Sequence, residues 1–427
     1  MWTGFCGKNV RPFLLEHKLP GKFLSVVRSH LRGSAPYVLA REVKRRLKNS
    51  LRDVDAPERT VISLKPEASS QGNVLLSYII DPFLLKPGEP VSQAHTHHWE
   101  SLQMARTFVD LGYGVDVISY ENNTFIPQKD YAFFIDARWN LERLAPLINR
   151  DCMKIMHIDT AHMLFQDSAE LSRLLALQWR RGITLRPRRF EMPNWAIEHA
   201  DCATMLGNEF TISTYKYANK PIYRIPISTP VLYPWVEEKD FETCRKRFLW
   251  FGSGGMVHKG LDLVLEAFAD IPEYHLIVCG PVQAEKDFEK AFYRELYHTP
   301  NIHTIGWVDV SSSDFIDITR DCIGLVYPSC SEGGGGSCIT CMHAGLIPIV
   351  SYESSVDVTD DFGIVLSGCS IEEIKDSLRR ISNLPIQKLK LMSRRAWEFA
   401  RANHTKEKFT EEYRKVISQI IMESRVK

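Results

Sequence analysis

Tyr327-Pro-Ser-Cys-Ser-Glu-Gly-Gly-Gly-Gly-Ser-Cys-Ile-Thr-Cys-Met-His-Ala-Gly-Leu-Ile-Pro-Ile-Val-Ser351 reads as a strand end, a glycine loop, a helix, a short loop and a second strand. The apolar run Ile323 to Tyr327 has the length and composition of a buried parallel strand. Gly333, Gly334, Gly335 and Gly336 can take positive φ and let a ligand approach the backbone. Ser337 is placed as the N-cap of a helix running to about His343. A helix start offers free N–H groups and a positive dipole end, which together bind phosphate. Glu332 stands at the mouth of this loop. A carboxylate would repel an anion, so it is expected to face a neutral hydroxyl-bearing group. Phosphate beside hydroxyls describes a nucleotide sugar.

A second stretch, Phe248-Leu-Trp-Phe-Gly-Ser-Gly-Gly-Met-Val-His-Lys-Gly-Leu-Asp-Leu-Val-Leu-Glu-Ala-Phe268, repeats the pattern of strand, glycine loop and helix. Leu261, Val264, Leu265 and Phe268 recur at i, i+3, i+4 and i+7, one helical face. Lys259 sits at the junction of loop and helix, where its ammonium can reach a diphosphate.

Strand-like runs organise the rest of the chain. The first series is Val74–Ile80, Val115–Tyr120, Tyr131–Ile135, Lys154–Ile158, Ala203–Leu206 and Ile222–Ile227. The second is Phe248–Phe251, His275–Cys279, Ile302–Ile305, Ile323–Tyr327, Ile347–Val350 and Ile364–Leu366. Apolar strands joined by helix-length segments imply parallel, doubly wound sheets. Thr229 to Glu238, with Pro230 and Pro234, is the interdomain linker. The expected layout is an extension over 1–70, a first domain over 71–229, a second over 230–403 and a closing helix over 404–427. Within the extension, Val38 to Leu51 reads as a basic helix and Pro57 to Gly72 as a linker.

These features resemble the retaining glycosyltransferases of family 4 and their relatives, the glycosyl transferases group 1. The resemblance covers residues 245–415 well and 72–228 more loosely. It rests on Gly252…Lys259-Gly260, Leu276-Ile-Val-Cys-Gly-Pro281, Ile305-Gly-Trp-Val308 and Pro328-Ser-Cys-Ser-Glu-Gly333, with Gly345 and Pro348 beyond. It implies an α/β chain of two facing Rossmann-like domains, the GT-B fold, whose last helix crosses back onto the first domain. Phe409, Tyr413, Val416 and Ile420 give that helix a suitable apolar stripe.

The resemblance implies sugar transfer with retention from a nucleotide-sugar donor to a hydroxyl acceptor, a glycan or lipid-linked glycan. Lys259, Glu332 and His162 are the catalytic candidates. Gly252, Ser253, Gly254, Gly255, Gly280, Trp307, Val308, the loop from Gly333 to Ser337, and Thr340 are the donor-binding candidates. No cofactor and no obligatory metal are implied. Two positions depart from the family pattern. Thr340 stands where a second, ribose-binding glutamate is usual, and Ser253 where an arginine usually reaches the diphosphate. They keep open one rival, a non-catalytic scaffold of the same fold; a nucleotide-sugar epimerase of the same architecture is a third reading.

Composition sets bounds around this. Apolar residues at 44% and charged residues at 25% match ordinary globular proteins. Ten cysteines without regular spacing suggest reduced thiols and a cytoplasmic protein. The Cys338–Cys341 pair lacks a second pair to complete a zinc site, so both are expected in a packed helix start. The first 15 residues lack the apolar core of a signal peptide, and no run reaches the ~18 apolar residues of a membrane span. Residues 1–52 carry 12 Lys/Arg and two Glu, a balance of +10, while the rest, with 41 basic and 50 acidic residues, carries −9. Basic residues interleaved with Phe23, Leu24, Val26, Val27 and Leu31 suit the anionic inner face of a membrane; no nucleic-acid motif accompanies them.

Three clusters complete the candidates. His95, His97 and His98 fall in the first turn after the first parallel strand; the resemblance implies that some of them line the acceptor side of the cleft, with metal binding as the alternative. His157, Asp159 and His162 close another strand, where they would hold hydroxyls or move a proton. Arg180, Arg181, Arg186, Arg188 and Arg189 either grip an anionic group or form a solvated basic loop.

Overall fold

The structure is a computed structural model that describes residues 59–424. The basic arm 1–52, with the helix expected at 38–51, lies outside the described residues. Among the described residues thirteen strands form two sheets. The first sheet contains β1 (Val61–Leu64), β2 (Asn73–Tyr78), β3 (Gly114–Ser119), β4 (Phe133–Asp136), β5 (Met153–Ile158), β6 (Cys202–Met205) and β7 (Ile222–Arg224), in the order β1-β3-β2-β4-β5-β6-β7. All neighbours are parallel except β1, which runs antiparallel to β3 with Val61 opposite Ile118. The second sheet contains β8 (Arg247–Phe251), β9 (His275–Cys279), β10 (Ile302–Gly306), β11 (Gly324–Tyr327), β12 (Ile347–Ser351) and β13 (Ile364–Leu366), wholly parallel in the order β10-β9-β8-β11-β12-β13.

Every apolar run expected to be a strand is one, to within about three residues. Strand β1 is the exception and corrects the reading of Pro57 to Gly72 as a linker. Its pattern is half-exposed, because an edge strand covers only one neighbour. Four residues of Val-Ile-Ser-Leu next to prolines give too short an alternation to stand out.

The i, i+3, i+4, i+7 face of the Leu261–Ala269 helix is fully buried at Leu261, Val264, Leu265 and Phe268. Two long helices, Ile386–Asn403 and Lys406–Ser424, close the chain. They break at His404, whose ring nitrogen lies 3.0 Å from the Ile227 carbonyl at the end of the first domain. The last helix lies on the Thr96–Asp110 helix, with the Phe409 ring 5.8 Å from Trp99. Phe409, Tyr413, Val416 and Ile420 are all buried there. The carboxyl ends of both sheets meet across one cleft, where open α/β sheets bind ligands.

Candidate functional site

The two glycine loops are stitched together by backbone and side-chain contacts. Cys330 donates its amide to the His258 carbonyl at 2.8 Å, and the His258 ring lies 2.6 Å from the Ser331 carbonyl. Trp250 Nε1 donates to the Lys259 carbonyl at 3.1 Å. Gly260 turns at φ 71°, and a Cβ there would stand 2.5 Å from the Pro328 carbonyl. Only glycine allows this approach, and the approach brings Lys259 against Glu332.

The Lys259 ammonium donates to Glu332 Oε1 at 2.6 Å and to the Tyr327 hydroxyl at 2.8 Å. Tyr327 in turn donates to Oε1 at 2.7 Å, and Ser329 does so at 2.9 Å. Burial alone would raise the carboxyl's pKa, but the Lys259 charge and these donors hold it down at about 2. Glu332 is therefore an anion at neutral pH. Its expected partner, a neutral hydroxyl, is supplied in part by Tyr327 and Ser329, and Lys259 neutralises it.

The cleft beside this group has a volume of about 360 Å³. Of the donor-binding candidates, Gly252, Ser253, Gly254, Gly280, Trp307, Val308, the loop Gly333 to Ser337 and Thr340 line it, together with Lys259 and Glu332. Gly255 does not. It lies beneath Arg189, whose Cγ would meet a Cβ at 2.6 Å, and its amide donates to Glu285. Ser337 is not the N-cap expected of it. Gly335, at φ 57°, precedes the Gly336–His343 helix, and Ser337 occupies its first turn. Thr340 spends its hydroxyl proton on the Gly336 carbonyl, 2.9 Å away, as helical Thr commonly does.

The glycine run serves the protein as much as a ligand. A Cβ on Gly333 would collide with the Asp159 carbonyl and Thr160 amide of the first domain. Gly334 similarly faces the Leu206 carbonyl, and Thr211 donates to the Glu332 carbonyl at 3.3 Å. The loop is thus the seat on which the first domain closes.

From the first domain, His95, Thr96, His97, Asp159, Ser228 and Arg189 line the same cleft. His95 caps the Thr96–Asp110 helix, its ring nitrogen accepting the His97 amide. His97 Nδ1 lies 2.7 Å from the buried Glu100 carboxylate, which also accepts the Ser228 amide at 2.7 Å. Burial opposes a charge on His97, yet the Glu100 hydrogen bond wins and raises its pKa. Asp159 is paired with Arg138 at 2.6 Å. Among the described residues no group of three or more His, Cys, Asp or Glu is placed to hold a metal ion.

His162 corrects the sequence reading. It caps the Met163–Arg181 helix and meets the Tyr217 hydroxyl at 3.0 Å, outside the cleft. The chain turns after Asp159, so Asp159 faces the cleft and His162 does not. His157 is fully buried, 2.8 Å from Thr204. The arginine cluster is not a single anion grip: part of it pairs across the domain interface and part, Arg186 included, stays exposed. Arg180 pairs with Asp262 at 2.8 Å, Arg181 with Glu295 at 2.9 Å and Arg188 with Asp287, all across the domain interface. Among the described residues Arg189 enters no ion pair and lines the cleft. No local sequence signal sets it apart from its neighbours. Cys338 and Cys341 are buried free thiols in the packed helix start.

A two-sheet chain with its cleft at the carboxyl ends, closed by a helix that returns to the first domain, has the GT-B fold of glycosyltransferases. Residues 245–398 match the family described as Glycosyl transferases group 1. No curated protein matches the chain. Among solved structures it is similar to sucrose-phosphate synthase of Thermosynechococcus elongatus, at 14% identity and TM-score 0.59, over 84% of this chain and 100% of that one. It is also similar to HepE of Anabaena, solved with UDP-glucose, at 11% identity and TM-score 0.53, over 82% and 100%. S. aureus TarM, at 13% identity and TM-score 0.48, is longer: the match spans 66% of this chain but 54% of TarM.

Proposed function

We propose that this protein transfers a sugar from a nucleotide-sugar donor to a hydroxyl of a glycan or lipid-linked glycan, with retention of anomeric configuration. The observation that carries the reading is the Lys259–Glu332 pair, set between two glycine loops at the carboxyl ends of β8 and β11. The UDP-glucose bound by HepE, a protein of the same fold, is consistent with such a donor.

In this scheme the donor diphosphate lies along the loops Gly252–Gly254 and Gly334–Ser337. Lys259 and the helix start at Gly336 take its charge. Arg189 adds a second cation from the first domain, since Ser253 supplies none beside Lys259. Glu332 holds hydroxyls of the sugar through charge-assisted hydrogen bonds. His97 and Asp159 face the acceptor. As the carbon–oxygen bond to the diphosphate breaks, the acceptor oxygen bonds to the anomeric carbon and its proton passes to the departing phosphate. The chain's own cations suffice at the leaving group, and no obligatory metal is invoked.

The scaffold reading draws on Thr340, whose hydroxyl is engaged within its own helix. A screen of nucleotide sugars by mass spectrometry, with and without pooled acceptors, separates the readings. Transfer requires both substrates, an epimerase turns over without an acceptor, and a scaffold gives no product in either arm.

A further inference from the structure

The Met163–Arg181 helix starts in the first domain and ends against the second. Leu177 is fully buried in the second domain's core with Trp250, Leu261 and Phe268, and Leu174, Ile183 and Leu185 pack on the same cluster. Charge fixes the helix end there. Arg181 pairs with Glu295 and lies 4.4 Å from the Phe292 ring centre, while Arg180 holds Asp262. The chain stays on the second domain as far as Arg188, which pairs with Asp287 and approaches Glu285 at 3.9 Å.

It then doubles back along its own helix, and three side chains of that helix grip its backbone. Buried Glu170 accepts the amides of Arg188 at 2.8 Å and Arg189 at 3.0 Å. Gln166, also buried, donates to the Arg189 carbonyl at 2.6 Å, and Asp167 accepts the Glu191 amide at 2.8 Å. A loop held only by its ends would leave Arg189 many conformations; here its amide and its carbonyl are both tied. The side chain leaves this grip across Gly255, which has no Cβ to block it and whose amide is held by Glu285.

The other charged groups that line the cleft are compensated. Lys259 is paired with Glu332, His97 with Glu100 and Asp159 with Arg138. Among the described residues that line the cleft, Arg189 is the cation without an acid partner. An uncompensated guanidinium beside a glycine loop and a helix start fits an anion that extends over more than one phosphate. We propose that the segment 182–191 is a clasp that sets Arg189 on the donor's diphosphate, with Glu170 and Gln166 as positioning residues, and that this cation makes the site prefer nucleoside diphosphates to monophosphates. The inference rests on the donor-site reading above and adds to it the origin of charge selectivity. The donor is thereby held from both domains, by Lys259 from one and Arg189 from the other.

The test is calorimetric titration of the full chain with ADP, GDP and UDP and with the matching monophosphates. The readout is the ratio of the two affinities for the base that binds, because a general loss of folded protein leaves that ratio unchanged. The parent should favour the diphosphate. Arg189→Met should cut the preference roughly 5- to 10-fold, as loss of one charged hydrogen bond in an open cleft would. Arg189→Lys should restore part of it, since the charge remains without the planar fork. Glu170→Gln should lower the ratio in the same direction, with its melting temperature as a control. Arg186→Ala removes an exposed charge from the same segment and should leave the ratio at the parent's value. An absent diphosphate preference in the parent, or an unchanged ratio in Arg189→Met, would overturn the proposal and leave the Lys259–Glu332 donor site standing. So would a loss in Arg186→Ala as large as that in Arg189→Met, because the effect would then be long-range charge. A parental ratio in Glu170→Gln would strip Glu170 of its positioning role. A parent that binds no nucleotide would remove the donor-site reading, and this inference with it.

Discussion

The two walls of the cleft are built by different logic. The second domain's wall is made of contiguous stretches, in which strand, glycine turn, charged residue and helix follow one another in the chain. Lys259 and Glu332 arise from two such stretches that backbone contacts hold together. The first domain's wall is assembled from Thr96, Asp159, Arg189 and Ser228, which come from distant parts of the chain, with Thr96 and Ser228 meeting by hydrogen bond. The contrast separates chemistry that a local pattern encodes from chemistry that packing must gather. It also predicts that the first kind fails abruptly on substitution and the second by degrees.

The largest expected effect is that of Lys259→Ala. Removing one partner of a buried ion pair costs about 3–5 kcal/mol of stability. Losing the charged contact to the donor lowers kcat/KM by roughly 10- to 100-fold. Steady-state rates with a melting curve as control check both. A variant as active as the parent would remove Lys259 from the donor site.

Gly333→Ala tests the seat between the domains. The added Cβ meets Asp159 and Thr160 backbone, which cannot rotate away, so a loss of about 1–3 kcal/mol is expected. Denaturant unfolding measures it. A neutral result would mean that the domains do not close as described.

Glu332→Gln keeps shape and loses charge. Its kcat/KM should drop by at least ~10-fold.

The first-domain wall gives a smaller, pH-dependent signal. The Glu100 partner raises the pKa of His97 in the folded state. The stabilisation is fully present below about pH 6.5, the unfolded value. It is lost as pH rises through the higher folded pKa. The stability gap between the parent and His97→Gln should be widest at acid pH, on the order of 1.5 kcal/mol, and should narrow above neutrality. A gap that does not vary with pH would contradict the pairing.

Thr340→Val should matter least. Its hydroxyl donates within its own helix, so about 0.5–1.5 kcal/mol is the ceiling.

These contrasts explain what the sequence made legible. Parallel strands announce themselves as apolar runs, and glycine turns announce phosphate-binding loops, because both are local. The half-exposed edge strand Val61–Leu64 gives neither signal. His162 lies three residues past Asp159, too far around the turn to share its direction. Among the arginines from Arg180 to Arg189, identical chemistry meets different neighbours. Three bind acids across the interface, and Arg189 reaches the cleft. Glycine at Gly333 was read as room for a ligand, yet the closest atoms belong to the other domain.

The central claim is that the Lys259–Glu332 group forms the donor site of a nucleotide sugar. Calorimetric titration of the full chain with a panel of nucleotide sugars, UDP-glucose among them, tests it most directly when repeated on Lys259→Ala. The account predicts saturable binding of at least one donor by the parent and roughly 10-fold or weaker binding by the variant. Binding of equal strength by both, or heat from no nucleotide sugar at all, would contradict it.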